Sequence, residues 1–299
     1  MNLLIAGHRG YIGKRLCELL NQKHIEVLGI SRNSKTFCLV WDNTKEVIVE
    51  GEFFEISEAL SSLNIKIDGL INLAAETSKS HNLGSILGLC ESNITLNALL
   101  ASLALELKIP KFIYTSTYSI SVDGKKFTPQ TLYAATKFAG GSLLEYYGIQ
   151  EEISITRLYL YDIYGPNHHN NKLIQLLFNA LKNGDKVALS PGEQEISLLY
   201  VDDACHAIMY SLDFPAQGSP RDYMVMSQEI LQVKDIPEMV ASSLGLKWSI
   251  GQLTFDKPYR LNEIMTVKPI FPVLPGWSPS FDLSLGLLEM AKNYRKLNA

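Results

Sequence analysis

Apolar residues run nearly unbroken from Asn2 to Ala6 and stop at a glycine turn, after which Tyr11, Ile12, Leu16, Leu19 and Leu20 recur at helical spacing. This pattern predicts a strand, a tight turn and a helix. Ile25 to Ile30 predicts a second strand and Asp68 to Ala75 a later one, with the near-continuous apolar character of parallel strands covered on both faces. The intervening stretch, Ser31 to Ile67, follows neither period clearly. Asn93 to Leu107, rich in alanine and leucine, predicts a helix, and Lys111 to Thr115 a buried strand entered at Pro110. Tyr133 to Tyr147 predicts a helix, Ile153 to Leu160 a strand, and Lys172 to Asn183 a helix closed by Gly184. The sustained alternation predicts an α/β fold built on a doubly wound parallel sheet. Beyond about residue 165 proline and glycine become frequent, although Tyr200 to Leu212 and Pro237 to Leu244 keep helical patterns. The expected organisation is a first domain over 1–165, with later sheet elements near 185–212, and a smaller region over 166–299.

Composition narrows the function classes. Of 299 residues, 46% are hydrophobic and 19% charged, which excludes a disordered chain. A net charge of -4 offers no general attraction for nucleic acid or an anionic membrane, so neither partner is expected, and an anionic ligand must be held by local groups. Cys17, Cys38, Cys90 and Cys205 lack paired metal-ligand spacing; reduced thiols and no metal site are expected. The short apolar stretch before Gly7 does not make a secretory h-region, and no later apolar run lasts 18 residues, so a cytoplasmic location is expected.

Gly7-His8-Arg9-Gly10-Tyr11-Ile12-Gly13 is a GxxGxxG turn between a predicted strand and a predicted helix, the context of a Rossmann-type dinucleotide fingerprint. Glycines there permit the tight turn, the approach of backbone to a pyrophosphate and close helix packing, with the helix N-terminus facing phosphate. An NAD site would carry an acidic residue at the end of the second strand; Ser31-Arg32-Asn33 stands there instead. Arg32 and Arg9 suit a 2′-phosphate, which predicts NADP(H).

Tyr133 and Lys137, four residues apart, lie on one helix face. A cation beside the phenol favours phenolate and brings a group with an ordinary pKa near 10 toward acid–base use. Upstream, Tyr114-Thr115-Ser116-Thr117 brings hydroxyls to the carboxyl edge of the sheet, where ligands bind.

The ordered set GHRGYIG, NLAA at Asn72 to Ala75, Asn93, YTST ending at Thr117, YAATK from Tyr133, IYGP at Ile163 to Pro166 and YVDDACHAI from Tyr200 resembles the extended short-chain dehydrogenase/reductases, a superfamily of NAD(P)-dependent sugar epimerases, dehydratases and ketoreductases. The likeness spans nearly the whole chain. It implies Tyr133 as general acid, Lys137 as tuner of Tyr133 and holder of the nicotinamide ribose, and Thr117 as partner of a sugar carbonyl. It also implies cofactor contacts from the glycine turn, Ser31 to Asn33, Leu73, Ala74, Ala75, Asn93 and Thr115, and substrate contacts from Thr77, Thr117, Tyr118 and Arg260. The AGHRGYIG segment is similar to the GDP-fucose synthase-like ketoreductases. The Arg260-Leu261-Asn262-Glu263-Ile264-Met265 and Gly276-Trp277-Ser278-Pro279 segments, with Phe281-Asp282, are similar to the CDP-abequose synthase-like 4-ketoreductases, in which an arginine such as Arg260 meets the substrate diphosphate.

Three departures bear on the reading. Gly192 to Leu198 reads GEQEISL where the family often has an arginine; the segment from Thr117 to Tyr133 is short; and Tyr118-Ser119 follow Thr117 where an epimerising relative needs cysteine and a dehydratase acidic residues. His168-His169 lack a third ligand at metal spacing. The resemblance therefore implies NADPH-dependent reduction of a keto group, at C4, of a nucleotide-linked deoxysugar destined for a surface polysaccharide such as O-antigen lipopolysaccharide, in an enzyme pairing as a homodimer. An NAD-dependent epimerase or 4,6-dehydratase stays open as an alternative, as does a non-catalytic NADP(H)-binding regulator. Base, sugar and stereochemistry are written in no motif.

Overall fold

The computed structural model describes residues 1–33, 36–78, 82–149, 153–168, 172–214 and 221–296, without the side chains of 33 and 294–296. The chain opens with β1 (Asn2–Ala6), α1 (Tyr11–Gln22), β2 (Glu26–Asn33), β3 (Thr36–Trp41), β4 (Glu46–Gly51), α2 (Phe53–Ser62) and β5 (Gly69–Asn72). Next come α3 (Leu83–Cys90), a π-helical turn (Glu91–Thr95), α4 (Leu96–Glu106), β6 (Lys111–Thr117), α5 (Leu132–Ile149), β7 (Ser154–Leu160), β8 (Asp162–Tyr164) and α6 (Leu173–Asn183). The remainder holds β9 (Val187–Ala188), β10 (Glu195–Ile196), β11 (Leu198–Tyr200), α7 (Val201–Ser211), β12 (Arg221–Val225), β13 (Leu231–Gln232), α8 (Ile236–Leu244), β14 (Leu253–Thr254) and α9 (Leu283–Lys296).

These elements form two compact units, Met1–Ile120 with Thr131–Tyr159 and Cys205–Tyr223, and Ser121–Gln130 with Leu160–Ala204 and Met224–Ala299. The units interleave along the chain, unlike a division at residue 165. The first holds a large sheet of order β12-β7-β6-β5-β1-β2-β3-β4. β6, β5, β1 and β2 run parallel, so their carboxyl ends share one edge, and the chain crosses from one side of β1 to the other between β2 and β5. That crossover is the switch point at which a doubly wound sheet opens a ligand crevice. On one face Leu4, Leu28, Ile30, Leu39, Leu70 and Phe112 pack with Ile56 and Leu60 of α2 and Leu100 and Ala104 of α4.

Two features of the architecture were not legible in the sequence pattern. The unassigned Ser31–Ile67 stretch supplies antiparallel β3 and β4 and then α2, so the sheet is mixed at this end. Its period was masked because Cys38-Leu39-Val40-Trp41 is continuously apolar, a bulge interrupts pairing at Leu39/Val40, and β4 is half exposed. The strands near 185–212 do not join the large sheet: β9 pairs with β14 and β11 with β8, while β12 takes its edge.

The span Leu83–Glu106 is helical throughout and, by length and composition, apolar enough to cross a membrane. Within it Leu89, Leu96, Leu100, Leu103 and Ala104 are buried and Asn93 and Asn97 turn inward onto polar partners, while Leu83 and Leu87 are exposed.

In the second unit, α6, α8 and α9 enclose a core of Leu177, Phe178, Ile236, Val240, Leu287 and Met290. Gly184 and Gly245, left-handed at φ 73° and 69°, close α6 and α8. The carboxylate of Asp203 accepts the N–H groups of Ser280 and Phe281 at 2.8 and 3.0 Å, tying the YVDDA and GWSPSFD segments together.

Candidate dinucleotide and catalytic site

The glycine turn is built by exclusion of side chains. Gly7 adopts φ 82°, and a Cβ there would lie 2.5 Å from the Ala74 nitrogen; a Cβ on Gly13 would lie 2.2 Å from the Gly7 carbonyl. Neither position admits even alanine, so β1, the start of α1 and the Leu73–Ala74 segment meet backbone to backbone. Gly10 caps α1 without a side chain, and the helix's first N–H groups, from Tyr11 to Gly13, face the turn. The structure therefore has the cradle a pyrophosphate requires.

His8, unremarked in the sequence pattern, pins this turn. Its ring is buried against Gly29, where a Cβ would lie 2.6 Å from the ring, and Nδ1 stands 3.3 Å from the Ile30 carbonyl. Nε2 lies 3.9 Å from the buried Asp42 carboxylate, which Lys45 also meets. Burial lowers the His8 pKa, so the ring is neutral at physiological pH. A cavity of about 360 Å³ beside the turn is lined by His8, Arg9, Lys14, Cys17, Asp42 and Lys45 among others. Burial, with Asp42 nearby, pushes the Cys17 thiol up to about 12 and leaves it unreactive.

At the carboxyl end of β2, Ser31 is half-buried and Arg32 is exposed. Arg32 does not stand alone: its Nη1 donates to the Glu91 carboxylate at 3.0 Å. Sequence reasoning found no acid at the end of β2; the π-helical turn carries one there from 59 residues away. The Asn33 side chain lies outside the described residues.

Behind the β5 end runs a buried amide network. Asn72 Nδ2 donates to Asn97 Oδ1 at 2.7 Å, and Ala74 N donates to Asn72 Oδ1 at 3.0 Å. Thr115 Oγ1 donates to the Asn72 carbonyl at 3.1 Å. Asn93, expected to touch cofactor, is fully buried and spends its amide on the protein. Its Oδ1 accepts from Glu76 N, and its Nδ2 donates to the Glu76 carbonyl at 3.0 Å and to Thr136 Oγ1 at 2.9 Å. Thr136 Oγ1 in turn donates to the Tyr133 carbonyl at 3.0 Å. Asn93 thus holds the 74–77 loop to the helix bearing Tyr133. Leu73 and Ala74 are half-buried, Ala75 and Thr77 exposed.

The π-helical turn and α5 approach so closely that a Cβ on Gly140 would lie 1.9 Å from the Asn93 carbonyl. Buried Arg157 fixes α5 to the sheet through the Gly141 carbonyl at 2.8 Å, Glu145 at 2.6 Å and a forked pair with Asp222 at 2.7 and 2.6 Å. On this helix Tyr133 is half-buried and Lys137 fully buried. The Lys137 Nζ sits 4.3 Å from the Tyr114 ring centroid, while the Tyr114 hydroxyl donates to the Lys137 carbonyl at 2.8 Å. Burial brings the Lys137 pKa down to about 7.

Thr117 ends β6, buried, its hydroxyl sharing a 2.9 Å hydrogen bond with the Ser119 hydroxyl and accepting from the Ser119 N–H at 3.3 Å. Tyr118 is half-buried. The structure thus gathers the glycine turn, Ser31–Arg32, Leu73 to Ala75, Thr115, Thr117, Tyr133 and Lys137 in the first unit. Arg260 belongs to the second unit, exposed on a turn and without an ion-pair partner among the described residues. In GEQEISL, Ser197 exchanges hydrogen bonds with the Ser227 backbone, a structural role. His168 is half-buried and His169 lies outside the described residues; among the latter no cluster of metal ligands occurs.

Comparison with known proteins agrees with this geometry. The sequence profile of the NAD dependent epimerase/dehydratase family matches residues 3–225. CDP-abequose synthase of Salmonella typhimurium is 27% identical over 306 residues, covering 97% of each chain; that of Yersinia pseudotuberculosis is 29% identical over 211 residues, 70% of this chain and 72% of its own. The structure of MoeE5 in complex with UDP-glucose and NAD superposes with a TM-score of 0.82 over 100% of both chains at 18% identity, a likeness of fold. With three-quarters of its length matched by one profile and the glycine turn set at the sheet's switch point, the chain belongs to the NAD dependent epimerase/dehydratase family.

Proposed function

We propose that this protein is an oxidoreductase that uses NADPH to reduce the C4 keto group of a nucleotide-linked deoxysugar for a surface polysaccharide. The turn from Gly7 to Gly13, Leu73 to Ala75 and Thr115 would hold the dinucleotide, Arg9 and Arg32 its 2′-phosphate, and Thr77, Tyr118 and Arg260 the nucleotide sugar. The two CDP-abequose synthases support the substrate class, and the NAD and UDP-glucose bound to MoeE5 support the cofactor and ligand classes. Bound nicotinamide supplies the hydride.

The observation that carries the reading is the Thr117–Ser119 pair. A carboxylate or thiol beside the substrate hydroxyl partner would serve elimination or epimerisation at a neighbouring carbon; here that neighbour is a second hydroxyl, too weakly acidic for either. The Ser119 N–H donates to Thr117 Oγ1 and the two hydroxyls share a further hydrogen bond, so Ser119 holds the Thr117 hydroxyl at two points. With the Ser119 hydroxyl as donor of that shared bond, the Thr117 O–H is left to donate to a carbonyl oxygen, an acceptor only. Tyr133 gives its proton to the same oxygen as negative charge develops, and a protonated Lys137 one turn away stabilises the phenolate left behind.

The test follows NADPH absorbance with CDP-, dTDP-, GDP- and UDP-linked 4-keto-deoxysugars. Oxidation with one of them, lost by a factor of roughly 10²–10⁴ in Tyr133→Phe with the fold intact, is the expected result. Absence of turnover with all four classes, or full activity in Tyr133→Phe, overturns the proposal.

A further inference from the structure

The end of β2 faces a carboxylate that the local sequence does not contain. Glu91 is the first residue of the π-helical turn between α3 and α4, a turn in which Asn93 points into the core while Glu91 stays outside. Its carboxylate takes one N–H of the Arg32 guanidinium at 3.0 Å, and the other N–H groups of that guanidinium have no protein acceptor among the described residues. The side chains are 31% and 63% exposed, so an incoming anion reaches the pair without a conformational change elsewhere.

From this pair we infer that Glu91 is a cofactor-specificity residue, an internal competitor for the guanidinium that would otherwise be reserved for the 2′-phosphate of NADP(H). The inference rests on the reading of Arg32 as the phosphate ligand. A 2′-phosphate carries up to two negative charges and can engage two N–H groups of one guanidinium at once, whereas Glu91 engages one. The phosphate therefore displaces the carboxylate, but must break an ion pair and settle beside a like charge. NAD(H), with a 2′-hydroxyl, does neither and leaves Arg32 on Glu91. Glu91 thus penalises only the phosphorylated cofactor and draws the two affinities together. The physical alternative, that the pair is a solvated surface contact with no bearing on ligand, predicts an unchanged affinity ratio.

An exposed pair contributes little, so the expected effect is modest and specific. Glu91→Gln keeps shape and hydrogen bonding while removing the charge, and raises NADPH affinity roughly three- to tenfold with NADH affinity unchanged. The gain shrinks as salt rises from about 50 to 500 mM, because both the repulsion and the pair are screened. The assay is a titration of the purified full chain with NADPH and, separately, NADH, read by nicotinamide fluorescence; no sugar substrate is needed. Wild type, Glu91→Gln, Arg32→Ala and the double variant are compared, with circular dichroism confirming that each is folded.

Support for the inference is a rise in the NADPH-to-NADH affinity ratio in Glu91→Gln that is absent when the same change is made on Arg32→Ala. A ratio within twofold of wild type in Glu91→Gln, or an equal gain for both cofactors, overturns it. The underlying reading fails separately, if Arg32→Ala binds NADPH as tightly as wild type does.

Discussion

Replacing Gly140 by alanine sets two effects of opposite sign against each other. Gly140 lies inside α5, where exchanging glycine for alanine ordinarily stabilises a helix by about 0.5–1 kcal/mol. Here the added methyl would sit 1.9 Å from the Asn93 carbonyl and 2.5 Å from Asn97 Nδ2. An acceptable contact needs a displacement on the order of 1.5 Å. The neighbours are backbone and a buried amide, and Arg157 with Tyr114 holds α5 to the sheet on either side of residue 140. Overpacking costs about 1–3 kcal/mol, and losing the buried bond from Asn97 Nδ2 to the Asn93 carbonyl about 1–3 kcal/mol more. Net of the helix gain, Gly140→Ala is destabilised by roughly 1–5 kcal/mol, a drop of roughly 2–8 °C in Tm. Residue 140 lies one turn beyond Lys137, so a strained α5 also misplaces Tyr133, and a displacement near 1 Å costs turnover about 100-fold. Gly88→Ala in α3 is the control: its nearest neighbour would be the Glu76 side chain at 3.8 Å, an ordinary contact, and it is expected to match or exceed wild-type stability. Calorimetric melting of both variants decides the point. A Gly140→Ala protein as stable as Gly88→Ala would refute the close approach of α5 to the π-helical turn.

The buried ammonium gives a pH signature. The folded pKa of Lys137, about 7, lies below the ordinary lysine value, so burial penalises the charged form. Between pH 7 and the ordinary value the unfolded chain binds the extra proton, and stability rises with pH; below pH 7 the penalty is fully present. Lys137→Met is therefore more stable than wild type at pH 6, by a few kcal/mol, with an advantage that shrinks toward pH 10; urea unfolding with a pH-independent difference would contradict this. The proposed mechanism makes Ser119 the positioner of Thr117, so Ser119→Ala is expected to lower kcat roughly tenfold with KM little changed, and Ser119→Thr to restore most of it. A rise in KM alone, or no rescue by threonine, would speak against that role.

What the linear sequence determined is the local chemistry. A strand, glycines at positions 7, 10 and 13, and a helix suffice to make the phosphate-facing turn, because Gly10 and Gly13 answer steric demands from Gly7 and His8 and Gly7 itself turns at φ 82°, although the Leu73–Ala74 backbone that Gly7 also admits comes from another strand's end. The four-residue spacing of Tyr133 and Lys137 puts both on one helix face wherever that helix packs. The parallel run of β1, β2, β5 and β6 was likewise legible in their uniform apolarity. Tertiary structure decided what lies opposite these elements. Continuous apolar residues from Cys38 to Trp41 carry no trace of the antiparallel edge they form, since pairing with β2 and a bulge set their faces. Asn93, read as a cofactor contact, is turned inward by a π-helical turn that shifts the helix register locally, and its amide is consumed by Glu76 and Thr136. The same turn sets Glu91 against Arg32, so the charge at the end of β2 is that of a pair rather than of a lone cation. Periodicity records which side of an element is apolar; the partner of a polar atom is chosen by chain segments dozens of residues away, and only their packing reveals it.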